Sequence, residues 1–147
     1  MGKLSERLIH TTIRDKVIKD CCALIEEEVQ GKSGIAGLVI KGAYQAVKRI
    51  KPNIIHQAVE ALLPEFAQAL DPLYEEAIAQ AMPVQSYFMQ NQSQVTEALL
   101  AITDKRIENV SITLVKATYQ KLRSGAKKHV ESAIPKIGSM IERHTTS

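Results

Sequence analysis

The sequence contains no tryptophan, and its aromatic content is only 4%, four tyrosines and two phenylalanines. That leaves little to stack on nucleobases and excludes single-strand binding by aromatic platforms. Cysteine is nearly as scarce: the only two are the neighbours Cys21 and Cys22. In a helical pattern they point to different sides, which excludes a disulfide scaffold and suits a reduced interior. The start, Met1-Gly2-Lys3-Leu4-Ser5-Glu6, lacks the apolar core of a signal peptide. Glu6 also stands where a myristoylation pattern needs Ser or Thr. Formal charge is absent from Ala77 to Thr96, but Gln80, Gln85, Gln90, Asn91, Gln92 and Gln94 rule out a membrane span, because hydrocarbon cannot satisfy so many amides. The expected location is the cytoplasm.

What is present is an ordinary globular composition: 147 residues, 45% hydrophobic and 24% charged. A chain of this length buries roughly 68–70% of its unfolded surface without needing metals or disulfides. One domain over residues 1–147 is expected, and disorder and collagen-like repeats are excluded.

Apolar residues recur at helical spacing almost throughout. Leu4, Leu8 and Ile9 predict a short helix that His10-Thr11-Thr12 interrupts. Thr12, with Asp15 three residues on, reads as the cap of a second helix carrying Ile13, Val17, Cys21, Leu24 and Ile25, which Gly31 stops. Ser33 can cap a third helix, Ile35 to Ile50, whose Gly37 and Gly42 suggest a closely passing backbone. Lys51-Pro52 is a boundary. A fourth stripe follows in Ile55, Val59, Leu62, Phe66 and Leu70, and Asp71-Pro72 reads as a fresh start ended by Pro83. Residues 84–94 are Gln-rich and read as a partly helical connection between two halves. Val95, Leu99 and Ile102 form a helix ending near Asp104. Val110, Ile112 and Leu114 alternate like a strand, yet Ile112, Val115, Tyr119 and Leu122 also fit a helix closed by Ser124-Gly125. Val130, Ile134, Ile137 and Ile141 make the last stripe.

An internal duplication decides the ambiguous stretch in favour of helix. Residues 39–48 (VIKGAYQAVK) align with 114–123 (LVKATYQKLR), and 60–66 (EALLPEF) align with 131–137 (ESAIPKI). The first copy has a few extra residues around Lys51-Pro52, and each copy reads as helix, short turn, then a helix containing proline. Pro64 and Pro135 either kink those helices or restart them; an interior proline costs about 3 kcal/mol, and a proline at a helix start is well tolerated. The expectation is an all-α, compact bundle of about six or seven helices, with pseudo-repeat halves roughly 12–70 and 93–144 joined through a connection at about 84–94.

Lys32-Ser33-Gly34, Lys41, Ala43-Tyr44, Leu63-Pro64, Thr103-Asp104 and Tyr119 through Leu122-Arg123 to Lys127-Lys128 carry a resemblance over most of the chain. With these residues the sequence resembles an uncharacterised bacterial family of small all-helical proteins, a domain of unknown function. The resemblance implies a cytoplasmic helical protein and brings no reaction, cofactor or catalytic residue.

Gly31-Lys32-Ser33 is similar to the tail of a phosphate-binding loop, but Glu26 stands where the leading glycine belongs and no apolar strand precedes it, so a helix end followed by a helix start is the better reading. Lys32 with helix-start amides could still hold an anion. His10, His56, His129 and His144 are too widely spaced for a metal centre. His56 and Glu60 share a helix face as a side-chain contact, and Glu26-Glu27-Glu28 reads as a solvated helix end. Cys21 and Cys22 are expected to be structural thiols. No catalytic residue, metal or cofactor is expected.

Charge is the feature above background, at a net +3. Acids and bases nearly cancel over residues 1–76, whereas bases outnumber acids over residues 97–147. Lys116, Arg123, Lys127 and Lys128, with Lys41, Lys48 and Arg49 in the matching region of the first copy, are the candidate anion- or partner-binding residues. The leading expectation is a non-enzymatic protein-interaction or scaffold module, self-association included. The alternative is electrostatic binding of nucleic acid or an anionic membrane through those bases. The third is a small-ligand carrier, with Tyr44 and Tyr119 as equivalent polar groups at a cavity wall.

Overall fold

The computed structural model describes residues 3–145 and places seven α-helices, and no strand, among them. They are α1 (Leu4–Leu8), α2 (Arg14–Gln30), α3 (Gly34–Lys48), α4 (Ile54–Ala79), α5 (Val84–Gln90), α6 (Gln92–Ile107) and α7 (Thr113–Thr145). Gly31 ends α2 as the sequence indicates. Gly34 opens α3 at φ +70°, a left-handed conformation that glycine adopts without a Cβ penalty.

The sequence misplaces several boundaries. Pro64 and Pro135 restart nothing: Pro64 and Pro72 both lie inside the 26 residues of α4, and Pro135 lies inside the 33 residues of α7. Asp71 therefore caps no helix of its own. Its carboxylate accepts from the Ser5 backbone N–H and from Ser5 Oγ, both at 2.8 Å, and so satisfies a first-turn amide of α1 from a distant helix. α4 stops at Ala79, before Pro83, through Ala81 at φ +53°, and Met82 N–H closes the turn onto the Ala77 carbonyl at 2.9 Å. Neither Thr12 nor Ser33 gives a side-chain cap: α2 starts after Ile13, while the Thr12 hydroxyl lies 2.9 Å from His10 Nδ1.

The two repeats also fold differently. The first is helix, turn, helix; the second is unbroken, with Ser124 and Gly125 inside α7. Pro52 restricts Lys51 and has no N–H to give, whereas a helical glycine costs only about 1 kcal/mol, which a long packed helix absorbs.

The core is concentrated at one end of the bundle. Its largest fully enclosed side chains are Leu4, Val17, Ile18, Phe88, Val95, Thr96, Ile134 and Ile141. The stretch read as a connection supplies Val84, Tyr87 and Phe88 to that core, and Gly138 lets α5 approach α7 so closely that a Cβ there would lie 2.6 Å from Gln85 Cα. In α7 every buried residue lies between Ala133 and Ile141, and in α3 only Gly37 is buried, against the Lys32 backbone. Gly42, by contrast, has nothing near its missing Cβ.

Paired side chains give the helix directions. Glu28 meets Lys136 at 2.8 Å and Asp20 meets His144 at 2.6 Å, so α2 and α7 are antiparallel. Glu97 near Lys127 and Asp104 on Arg123 make α6 and α7 antiparallel as well. No described helix is long and apolar enough to cross a membrane.

Candidate functional site

Beside the tight core, and sharing residues such as Leu63, Leu70 and Ile141 with it, the apolar stripes of α2, α4, α6 and α7 stand apart from one another. Between them lies a hollow of about 450 Å³. α7 contributes Leu122, Ala126, Val130, Ala133, Ile137 and Ile141, one face at helical spacing. From Leu122 to Ile141 that face runs about 28 Å at 1.5 Å per residue. α4 faces it with Val59, Leu63, Phe66 and Leu70, α2 with Cys21, Leu24, Ile25 and Val29, and α6 with Leu99 and Leu100. Ile40 is the contribution of α3. It is a slot along α7, partly open to solvent, and hydrocarbon makes up nearly all of its wall.

Four residues with polar heads border that wall, nearly all of it through carbon: Glu28, Lys32, Thr103 and His129. The first two lie where α2 gives way to α3. Glu28 Oε1 accepts from Lys32 Nζ at 3.4 Å and from Ser132 Oγ at 3.2 Å, while Oε2 takes Lys136. Both side chains are largely enclosed, at 16% and 18% exposure, so Glu28 is no part of a solvated helix end. Burial raises the Glu28 pKa, but the Lys136 and Lys32 ammonium groups outweigh it and hold the carboxyl below its ordinary range. His129 is shifted down by burial and by Lys32 and Lys128, which keeps the imidazole neutral near pH 7.

Thr103 belongs to a separate polar chain. Its hydroxyl donates to the Leu100 carbonyl at 3.1 Å and meets the Tyr119 hydroxyl at 2.8 Å. Tyr119 donates to Asp104, whose two oxygens accept from Arg123 Nε and Nη2 at 2.8 and 2.9 Å. Arg123 and then Tyr119 hold the Asp104 carboxyl below its usual value. Sequence spacing could not reveal this constellation, because it joins two helices.

The wall offers no activated nucleophile. Burial pushes the Cys21 thiol up to about 12, far from the thiolate that chemistry requires, and its Sγ rests 3.6 Å from Met140 Sδ. Among the described residues no group of three or more His, Cys, Asp or Glu side chains could hold a metal ion. A second depression of about 360 Å³ between α2 and α7 is polar, and its Asp20, Glu27, Lys136 and Arg143 are already paired with neighbours.

Residues 4–145 match the profile of the family of unknown function DUF6918. The chain belongs to that family. No curated protein and no solved structure matches it. Every residue lining the hollow, from Leu8 to Ile141, falls inside the segment shared with the family.

The candidate bases do not converge. Tyr44 lies near Glu26 and Cys22, so α3 folds back along α2, while Lys32 near Ser132 marks the junction of α2 and α3 beside α7. From that junction Lys41, Lys48 and Arg49 run back beside α2; Lys116, Arg123, Lys127 and Lys128 run the opposite way, beyond its end. Arg123 is committed to Asp104, Lys127 lies 3.8 Å from Glu97, and Lys48 sits 5.1 Å over the Tyr44 ring. Among the described residues no carboxylate pairs with Lys41, Arg49, Lys116 or Lys128. Neither Tyr44 nor Tyr119 lines the hollow; Tyr119 reaches it only through Thr103. Burial, and then Glu26, pushes the Tyr44 hydroxyl up to about 12.

Proposed function

We propose that this protein binds and carries a single-chain amphiphile, an acyl or alkyl chain with one polar end, inside the hollow. The observation behind the proposal is the slot of about 450 Å³ with a wall of aliphatic carbon. That volume lies in the range of small-molecule sites. The slot is partly open, so its apolar wall stands against solvent; a guest chain covers that wall and contributes about 0.8 kcal/mol for each methylene taken from water. A lining face that extends about 28 Å along α7 suits one unbranched chain better than a fused ring system. Lys32 and His129, neighbours whose carbon atoms border the slot, suit a carboxylate or a neutral oxygen-bearing head group held at its margin rather than within it.

Reduced, half-buried Cys21 and Cys22 agree with a cytoplasmic site of action. Nucleic-acid binding has less behind it, since the two groups of bases point apart and Arg123 is already neutralised. A protein-interaction role would use the exposed Ile35 and Leu38 rather than the hollow.

The test is a saturated fatty-acid series titrated into protein stripped of bound lipid. Affinity is expected to rise about fourfold per added methylene until the slot is full, then level off. A flat series, with no lipid retained by freshly purified protein in native mass spectrometry, would overturn the proposal.

A further inference from the structure

α3 carries its apolar side chains on the wrong face for a helix that only covers a core. Ile35 is 83% exposed and Leu38 72%, with Val39 beside them, while Ile40 on the opposite face reaches the hollow. Together they make an apolar tip on the first two turns, at the helix end next to Lys32, which borders the slot. The same helix contains no acidic residue. Lys41, Lys48, Arg49 and Lys51 follow the tip, and among the described residues no carboxylate pairs with any of them.

A partner for this face must offer hydrocarbon and negative charge together. A second copy of the chain supplies the first but, in a two-fold contact, sets these bases against their own counterparts. Nucleic-acid phosphates would take the bases and leave Ile35 and Leu38 in water. An anionic bilayer surface supplies both, headgroup phosphates above and acyl carbon below. α3, at 15 residues, extends about 22 Å and is too short to cross hydrocarbon about 30 Å thick, so it can only lie in the interface.

We infer that α3 is a membrane-docking helix that lays Ile35, Leu38 and Val39 into the surface of an anionic bilayer. Docking there brings the Lys32 side of the slot near the lipid, where a single-chain amphiphile can enter or leave. The surface itself stands independently of what the slot holds.

The experiment is co-sedimentation of the full chain with phosphatidylcholine vesicles, with and without phosphatidylglycerol. Wild type is expected to sediment with the anionic vesicles at low salt, to be released by added salt, and to bind neutral vesicles weakly. Ile35→Asp with Leu38→Asp is expected to lower the partition coefficient about a hundredfold. Lys41→Glu and Arg49→Glu are expected to lower it at least about fivefold each. These side chains are exposed or half-exposed, so the variants should keep the wild-type circular dichroism and melting temperature; Leu38→Ser replaces the double variant if it does not fold. Wild type remaining in the supernatant with anionic vesicles at low salt overturns the inference. So does an Asp variant binding as wild type does, or a wild-type dimer that the Asp variant dissolves while neither binds vesicles. No guest in the slot is needed for any of these measurements, so failure here leaves the fatty-acid series to stand or fall by itself.

Discussion

Filling the hollow from within separates a real void from a packed core by the sign of a single stability change. Ala126 lies on the α7 face of the slot. Ala126→Leu adds three carbons which, buried at about 0.8 kcal/mol each and less about 0.5–1 kcal/mol of lost rotamer freedom, stabilise by about 1.5 kcal/mol. For a domain of this length that raises Tm by about 3–6 °C. Helix propensity changes little, since Leu and Ala both favour helix. Ala77 is the control: it is fully enclosed in the tight core and does not line the slot. Ala77→Leu has no room to enter and is expected to destabilise by about 1–3 kcal/mol. Both variants, freed of lipid, are measured by urea denaturation, with an unchanged slope required before midpoints are compared. If Ala126→Leu destabilises as Ala77→Leu does, the slot is not a void and the carrier proposal loses its basis.

Further outcomes follow from the same geometry. Gly138→Ala drives a Cβ to within 2.6 Å of Gln85 Cα and is expected to destabilise by about 1–2 kcal/mol despite its better helix propensity, whereas Gly42→Ala meets nothing within 4 Å and should stabilise by up to about 1 kcal/mol; thermal melts decide both. Asp20, Glu28 and Asp104 titrate below their ordinary values when folded, so their stabilisation is complete above about pH 4.5 and is lost as pH falls through the folded values; Asp104→Asn should flatten part of that acid limb in Tm against pH. His129 is also depressed, but there the folded state favours the neutral ring, so a separate loss sets in as pH drops below its ordinary 6.5, and His129→Gln should remove it. Cys21, with its thiol pushed up to about 12 inside the slot, should react with maleimide far more slowly than an exposed thiol at pH 8, and a bound fatty acid should slow it further.

The helical class was open to sequence reasoning because nearly every segment repeats apolar residues at three and four positions. Boundaries were less so. Asp71-Pro72 carries a start signal that tertiary packing overrides, and Asp71 serves Ser5 of α1 instead. Gln-rich residues 84–94 look like a tether, yet Val84, Tyr87 and Phe88 sit one turn apart on a buried face. The hollow was invisible for a physical reason. Leu122, Ala126 and Val130 form the same stripe whether the opposite wall touches them or stands back, and a sequence records the face without the gap. The basic residues were legible as a list but not as a surface, because only helix direction shows that the two sets diverge. The apolar tip on α3 was hidden in the same way: Ile35, Leu38 and Val39 are ordinary core residues until the fold turns them outward.

One rod belongs to both ends of the molecule. The last turns of α7 are clamped by α1, α2 and α5, while its first turns are held mainly through α6 by Tyr119, Arg123 and Lys127. Loss of order under heat or urea should therefore begin near residue 113 and advance toward Ala133, where the enclosed side chains start. Amide exchange can watch that front: a guest between the walls should slow the amides of residues 122–130 most, making the free half of the rod a built-in gauge of occupancy.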